Sequence, residues 1–180
     1  MCIWRAFEGR IATLRGHMAE LHQHDTEAFW KNVGSEFSEQ FSVGAAAYGA
    51  RLANFVMSDS PDDMKAPLAS MFYMPPNFVL AKHAHDCHRV EVVIQGSLRV
   101  GDTVLKPGDV SISKPGEPYG PHVAGPTGCL TVEIFSRQAA LDPILHSDAW
   151  SDASRAQAAT YRRAVEDWKA QRAAATAEAE

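Results

Sequence analysis

The sequence predicts a mainly β protein, an antiparallel sandwich or barrel in the middle of the chain with helices at its two ends. Two observations carry this. Between Phe78 and Gly128, short runs rich in Val, Ile and Leu are each bounded by Gly, Pro or Asp, the sequence form of tightly turned antiparallel strands. Outside the β-rich middle, apolar residues instead recur at spacings of three and four, which is helical periodicity. There is no internal repeat, no Gly-rich phosphate loop and no Gly-x-Ser-x-Gly nucleophile in the chain.

Taken in order, Ile11, Leu14, Met18 and Leu21 make one helical face. Asp25 or Thr26 can cap a second helix carrying Phe29, Val33 and Phe37 four apart. Lys31 is its only cation, so it does not read as a recognition helix, which meets phosphates with several. Gly44 to Gly49 is a small-residue turn, Arg51 to Met57 an edge strand and Ser58 to Asp63 a solvated loop. Leu68 to Met74 is a strand stopped at Pro75-Pro76, since neither proline can donate to a ladder. Strands follow at Phe78 to His85, Val90 to Ile94, Ser97 to Val100, Thr103 to Leu105, Val110 to Ser113 and Cys129 to Phe135. Gln95-Gly96 and Lys106 to Asp109 read as turns, and Gly101-Asp102 as a hairpin turn because Gly reaches positive φ freely. Pro143 lies near the start of a short helical turn. From Ser151 the composition turns to Ala, Glu, Arg and Gln, with Trp150, Tyr161, Val165 and Trp168 near one side, which makes an amphipathic helix. The organisation expected is a helical extension over 1–44, a β-barrel over 45–136 and a helical tail over 137–180.

Four of the eight histidines, His83, His85, His88 and His122, fall in the β-rich stretch. His83 and His85 are two apart on a strand, so both leave one face of the sheet. That suits a metal site completed from a neighbouring strand; the alternative is a pair of exposed or hydrogen-bonded histidines. His83, His85, Cys87 and His88 could also form a local zinc cluster, but four ligands within six residues crowd the chain. The stretch resembles the cupin family, whose first motif is His-x-His, three or four residues, Glu, six residues, Gly. His83, His85 and Gly96 occupy those places, and Gly108-Asp109 with Pro115-Gly116 echo the second motif. The resemblance covers about fifty residues and implies a double-stranded β-helix, or jelly-roll barrel.

Two positions depart from the motifs. Seven before Gly96 the glutamate position holds Arg89, and ten after Asp109 the histidine position holds Tyr119, with His122 the nearest histidine. Glu91 shares strand parity with His83, His85 and Arg89. The resemblance implies a divalent transition metal on His83, His85 and His122, with Fe(II) favoured and Zn, Ni or Mn as alternatives, and with Arg89, Glu91 and Tyr119 as catalytic groups around it. A fixed cation about 6 Å from such an ion is repelled by roughly 5 kcal/mol at an effective dielectric of 20. Arg89 must then pair with Glu91 or Asp86, turn outward, meet an anionic ligand, or exclude the metal. The activity implied is that of a metal-dependent dioxygenase acting on a small organic acid or diketone-like compound. A non-catalytic binding module for a small anion, or an isomerase or lyase, are the other readings.

With 180 residues the chain can bury one sizeable core. A net charge of −5 with interspersed signs argues against nucleic acid as a partner. The three scattered cysteines, Cys2, Cys87 and Cys129, suit reduced thiols in a cytoplasmic protein. No run approaches the length of a membrane span. A homodimer is expected, because strand edges and the tail aromatics Trp150, Tyr161 and Trp168 need partners.

Overall fold

The structure is a computed structural model and describes residues 21–146 and 151–179. Of the helical face expected over Ile11 to Leu21, Ile11 to Met18 lie outside the described residues, as does Trp150, and Leu21 is not in a helix. Thr26 caps α1 (Glu27–Trp30), its side chain accepting from the Phe29 backbone N–H. The single helix expected over Phe29 to Phe37 is instead two: the chain breaks at Gly34, whose φ of +75° lies in the left-handed region. Ser35 then caps α2 (Glu36–Ala46) through a reciprocal box with Ser38. The boundary expected at 44/45 therefore falls within α2.

The strands are β1 (Arg51–Val56), β2 (Leu68–Met74), β3 (Val79–Leu80), β4 (His83–Ala84), β5 (Arg89–Val100), β6 (Thr103–Leu105), β7 (Val110–Ser113), β8 (His122–Phe135) and β9 (Ile144–Leu145). One antiparallel sheet runs β1-β2-β8-β5-β6, with β3 added on β8 and β7 on β5, while β4 and β9 form a separate pair. Among the described residues this path ends at β1 and β6, so strand hydrogen bonds do not close a barrel. The β5–β8 pair is the spine. Its first half on β5 carries β7 and its second half β6, and β8 passes from β3 to β2 along its length.

Three expectations change here. Gln95-Gly96 is not a turn: β5 continues through it, with register irregularities on both sides. Gly96 has φ +76° and faces Gly128 so closely that a Cβ would run into the Gly128 carbonyl, so the long pair bends there without ending. The strand expected over Phe78 to His85 is two fragments, because β3 pairs with β8 whereas β4 pairs with β9. The helical turn expected near Pro143 comes earlier, a 3-10 turn at Gln138–Leu141, and β9 follows Pro143.

Burial alternates along β5: Arg89, Glu91 and Val93 face in, and Val90, Val92 and Ile94 face out. Inside, one apolar cluster gathers Ala45, Phe72, Met74, Phe78, Val93 and Leu98. A second gathers Phe41, Leu68, Cys87, Phe135 and Leu141, with Tyr161 packed against it. Tyr161 belongs to α3 (Asp152–Ala179), and its ring lies directly on Gly44 of α2, where a Cβ could not fit. Arg172 ties the two helices again, reaching Glu36 at 3.3 Å and Glu39 at 3.0 Å.

Candidate functional site

Strand parity and one bridge assemble the site. His83 and Tyr119 exchange both backbone hydrogen bonds, at 3.1 and 2.9 Å, which sets the Tyr119 ring 4.7 Å from that of His83. The β8 register puts His122 opposite Leu80 and Val100. Its ring faces in, 5.6 Å from His83 and stacked 5.3 Å from Tyr119. His85 stands 5.1 Å from His83. All three histidines are buried, whereas His88 is exposed and Cys87 belongs to the apolar core.

Arg89 is the largest fully buried side chain, 2% exposed. Its guanidinium donates to Glu91 Oε2 at 3.1 Å and to the Tyr119 hydroxyl at 2.9 Å, and its Nε lies 3.3 Å from Glu133 Oε2. It also lies over the Tyr119 ring at 4.6 Å. Asp86, the other partner considered for Arg89, is exposed and pairs with Arg137. Glu133 was not singled out from the sequence. It sits directly opposite Glu91 across the β5–β8 ladder and faces in; the signal available was its parity with Thr131 and Phe135 on an otherwise apolar strand. Two carboxylates against one guanidinium leave no excess positive charge, so Arg89 needs no exogenous anion to be neutralised.

Electrostatics follows from burial. Removal from water lowers the pKa of His83 to about 4 and of His85 to about 3, with the Arg89 charge adding to both, and it holds His122 well below the usual range. The imidazoles are thus neutral. His83 Nδ1 bonds the Ala81 carbonyl at 2.7 Å and His85 Nδ1 the Ala140 carbonyl at 2.6 Å, so each carries its proton there and keeps Nε2 as a lone pair. Burial raises Glu91 to about 7 even against the pull of Arg89. Burial also opposes the Arg89 charge, but Glu133 and Glu91 outweigh it and keep that pKa raised.

A cavity of about 260 Å³ adjoins these groups. Its walls are mostly apolar, from Phe41, Tyr48, Leu52, Phe72, Phe135 and Leu141, and its charged or titratable sheet groups are His83, His85, Arg89 and Glu133. α2 and α3 wall it with Ala45, Gln157 and Tyr161. Glu91, His122 and Tyr119 do not line it; they contact the lining groups from inside the sheet.

Among the described residues, no three His, Cys, Asp or Glu side chains are grouped to hold an ion, and Arg89 takes the Glu91 oxygen nearest His122. Among the described residues the expected shell of His83, His85 and His122 is therefore not assembled, and neither is the local zinc cluster. Two buried atoms at its centre, His122 Nε2 and Glu91 Oε1, have no hydrogen-bond partner.

No family model matches the sequence, and no curated protein matches it. Solved structures do. The polyketide cyclase RemF from Streptomyces resistomycificus aligns with a TM-score of 0.51 and 18% identity over 77% of this chain and 90% of that one. An RmlC-like cupin from Shewanella frigidimarina aligns at 0.42 and 20%, over 56% and 80%. A chain in the complex of Rhodobacter sphaeroides SigE with the anti-sigma ChrR aligns at 0.41 and 19%, over 48% of this chain and 45% of that one. The β-rich region carries His83, His85, Gly96 and the Gly108-Asp109 and Pro115-Gly116 turns, and the chain has a cupin-like fold.

Proposed function

We propose that the cavity is the substrate site of a cupin-fold enzyme acting on a small molecule with an apolar body and a carbonyl or hydroxyl group. The chemistry is proton transfer of the isomerase or lyase kind. One observation carries this: His83, His85, Arg89 and Glu133 share a mostly apolar cavity of about 260 Å³, whose lining also includes Asp142 and Arg162. Each group has a role available in its present position. The Arg89 guanidinium stabilises negative charge developing on a substrate oxygen, and the Glu133 carboxylate accepts a proton from carbon or hydroxyl. The neutral imidazoles of His83 and His85 offer lone pairs that orient a substrate hydroxyl. The apolar walls favour a diketone-like or aromatic compound over a compact organic acid.

A metal-dependent oxygenase is the second reading, favoured by the unpartnered His122 Nε2 and Glu91 Oε1. His83, His85 and His122 would be the ligands, supplying an open position for Lewis-acid or redox chemistry, and Glu91 would first have to leave Arg89.

Calorimetry with acetylacetone, 1-naphthol, benzoate and succinate tests the first reading on protein purified without a His-tag. Acetylacetone or 1-naphthol should bind, and His83→Ala and Glu133→Gln should weaken that binding. Deuterium uptake from D₂O into acetylacetone faster than in buffer alone would register the proton transfer, and binding without that acceleration assigns the chain to the non-catalytic binding modules. Absence of binding until Fe(II) or Zn(II) is added would turn the assignment to the metal reading.

A further inference from the structure

A polar file crosses the inner face of the sheet. Asn54 on β1, Ser70 on β2, Glu133 on β8 and Glu91 on β5 stand opposite one another in successive registers, and all four are buried. Arg89 accounts for the two carboxylates. It does not account for Asn54 and Ser70, and of these two Ser70 lines the cavity. The direction of every hydrogen bond on this side is fixed from the far end. The Leu52 carbonyl can only accept, so Ser42 Oγ on α2 donates to it at 3.1 Å. Ser42 has a single proton, so its oxygen must accept from the amide of Asn54, whose Nδ2 lies 3.3 Å away. Asn54 Oδ1 is thereby turned to Ser70, and the Ser70 hydroxyl gives its only proton there at 2.5 Å.

Ser70 Oγ is left with lone pairs and no proton to offer the cavity, and among the described residues nothing donates to it. It is a buried acceptor in a mostly apolar wall, its Cβ about 5 Å from that of Glu133 across the ladder. Glu133 is itself turned towards Arg89, with Oε2 3.3 Å from Nε. We propose that Ser70 is the specificity-determining residue of the cavity, accepting a hydrogen bond from a hydroxyl or N–H of the ligand beside Glu133. The assignment rests on the cavity being the substrate site, and it narrows the substrate class to apolar compounds that carry a donor, such as phenols, enols and amides. An ether or a fully ketonic ligand would set lone pair against lone pair there and leave Ser70 unpaired out of water. A site built on a hydroxyl rejects the analogue without one more strongly than an apolar pocket rejects a change of size.

The test is equilibrium dialysis of the full chain against 1-naphthol and against 1-methoxynaphthalene, its methyl ether, which keeps the oxygen and loses the proton. Wild type should bind 1-naphthol roughly tenfold more tightly than the ether. Ser70→Ala should cut that ratio several-fold by weakening 1-naphthol alone, and retained binding of the ether shows the cavity intact. Ser42→Ala reaches the same site from outside, since Ser42 does not line the cavity. It frees the Asn54 amide to turn its N–H₂ to Ser70, whose proton then points inward, so the ratio should fall here too as the ether gains. Equal binding of both compounds by wild type would overturn the assignment of Ser70 and leave the cavity as the substrate site. A ratio unchanged in Ser70→Ala would overturn it as well, and its loss in Glu133→Gln or His83→Ala would place the hydroxyl on those groups instead. If Ser70→Ala binds neither compound, Ser42→Ala decides: a lowered ratio supports the assignment and an unchanged one overturns it. Binding of neither compound by wild type would remove the substrate-site reading itself, and this inference with it.

Discussion

At Arg89 a charge lies fully out of water, held by Glu91, Glu133 and Tyr119. Removing one partner of a buried ionic cluster leaves the others uncompensated, at a cost of about 3–5 kcal/mol. Arg89→Met should therefore lower the unfolding free energy obtained from urea titration by about that much at pH 8. The loss should shrink below pH 7, because Glu91 is raised to about 7 and can take a proton. Adding Glu91→Gln and Glu133→Gln to Arg89→Met should recover most of it; a single variant as stable as wild type at pH 8 would show that the cluster holds nothing. Wild-type stability has its own pH dependence. His83 and His85 bind protons in the unfolded chain near pH 6.5 but in the folded one only near 4 and 3. Between those values the unfolded state holds more protons, so stability falls as pH drops. Glu91 acts oppositely, losing stability as pH rises from 4.5 towards 7, but three depressed histidines outnumber it. Urea midpoints should drop from pH 7 to pH 5, and a flat profile would mean that the histidines are not held neutral. The sequence showed that Arg89 replaces a glutamate, because one motif position is visible by counting. It did not show Glu133 as the second partner, which depends on the β5–β8 register.

The elements legible in the sequence were those whose boundaries are chemical. β1, β2, β6 and β7 fall where Pro, Gly and Asp bracket them. The elements misread were those decided by pairing. Gly96 reads as a turn locally, yet β8 lies alongside and carries β5 straight past it. The Phe78 to His85 run reads as one strand, yet its halves pair with β8 and β9. The join between α2 and α3 was equally invisible, since Gly44 looks like part of a small-residue turn. A methyl there would meet the Tyr161 ring. Gly44→Ala should force α3 outward and destabilise the chain by about 1–3 kcal/mol, the usual cost of overpacking, despite the better helix propensity of Ala. Faster proteolytic cutting within α3, seen by mass spectrometry, would accompany the loss. Unchanged cutting and stability would mean that the helices are not in the contact described.

On the scale of the molecule, the fold class and the helices at the two sides of the sheet were readable, and the cavity was not, because its walls come from segments far apart in sequence. The tail shows why. Tyr161 and Trp168 were expected to need a partner surface, the sheet or a second subunit, yet α2 supplies much of it: Tyr161 sits on Gly44, and Arg172 bridges from under the Trp168 ring to Glu36 and Glu39. Tyr161 and Trp168 thus meet partners within the chain itself. What α3 does instead is wall the cavity, through Gln157, Ala158 and Tyr161. Phe41 and Leu141, also in its lining, belong to the second apolar cluster, which has Leu68 and Phe135 in the sheet and Tyr161 packed against it. Deleting residues 151–180 should then leave the sheet spectrum in place, since the β5–β8 spine makes no use of α3, but open the cavity to water. Binding of 1-naphthol should fall by at least tenfold, equivalent to about 1.4 kcal/mol, and sedimentation should show the same assembly state as the full chain. Undiminished 1-naphthol binding would place the ligand elsewhere than this cavity, and a change from dimer to monomer on deletion would return the tail to the subunit interface.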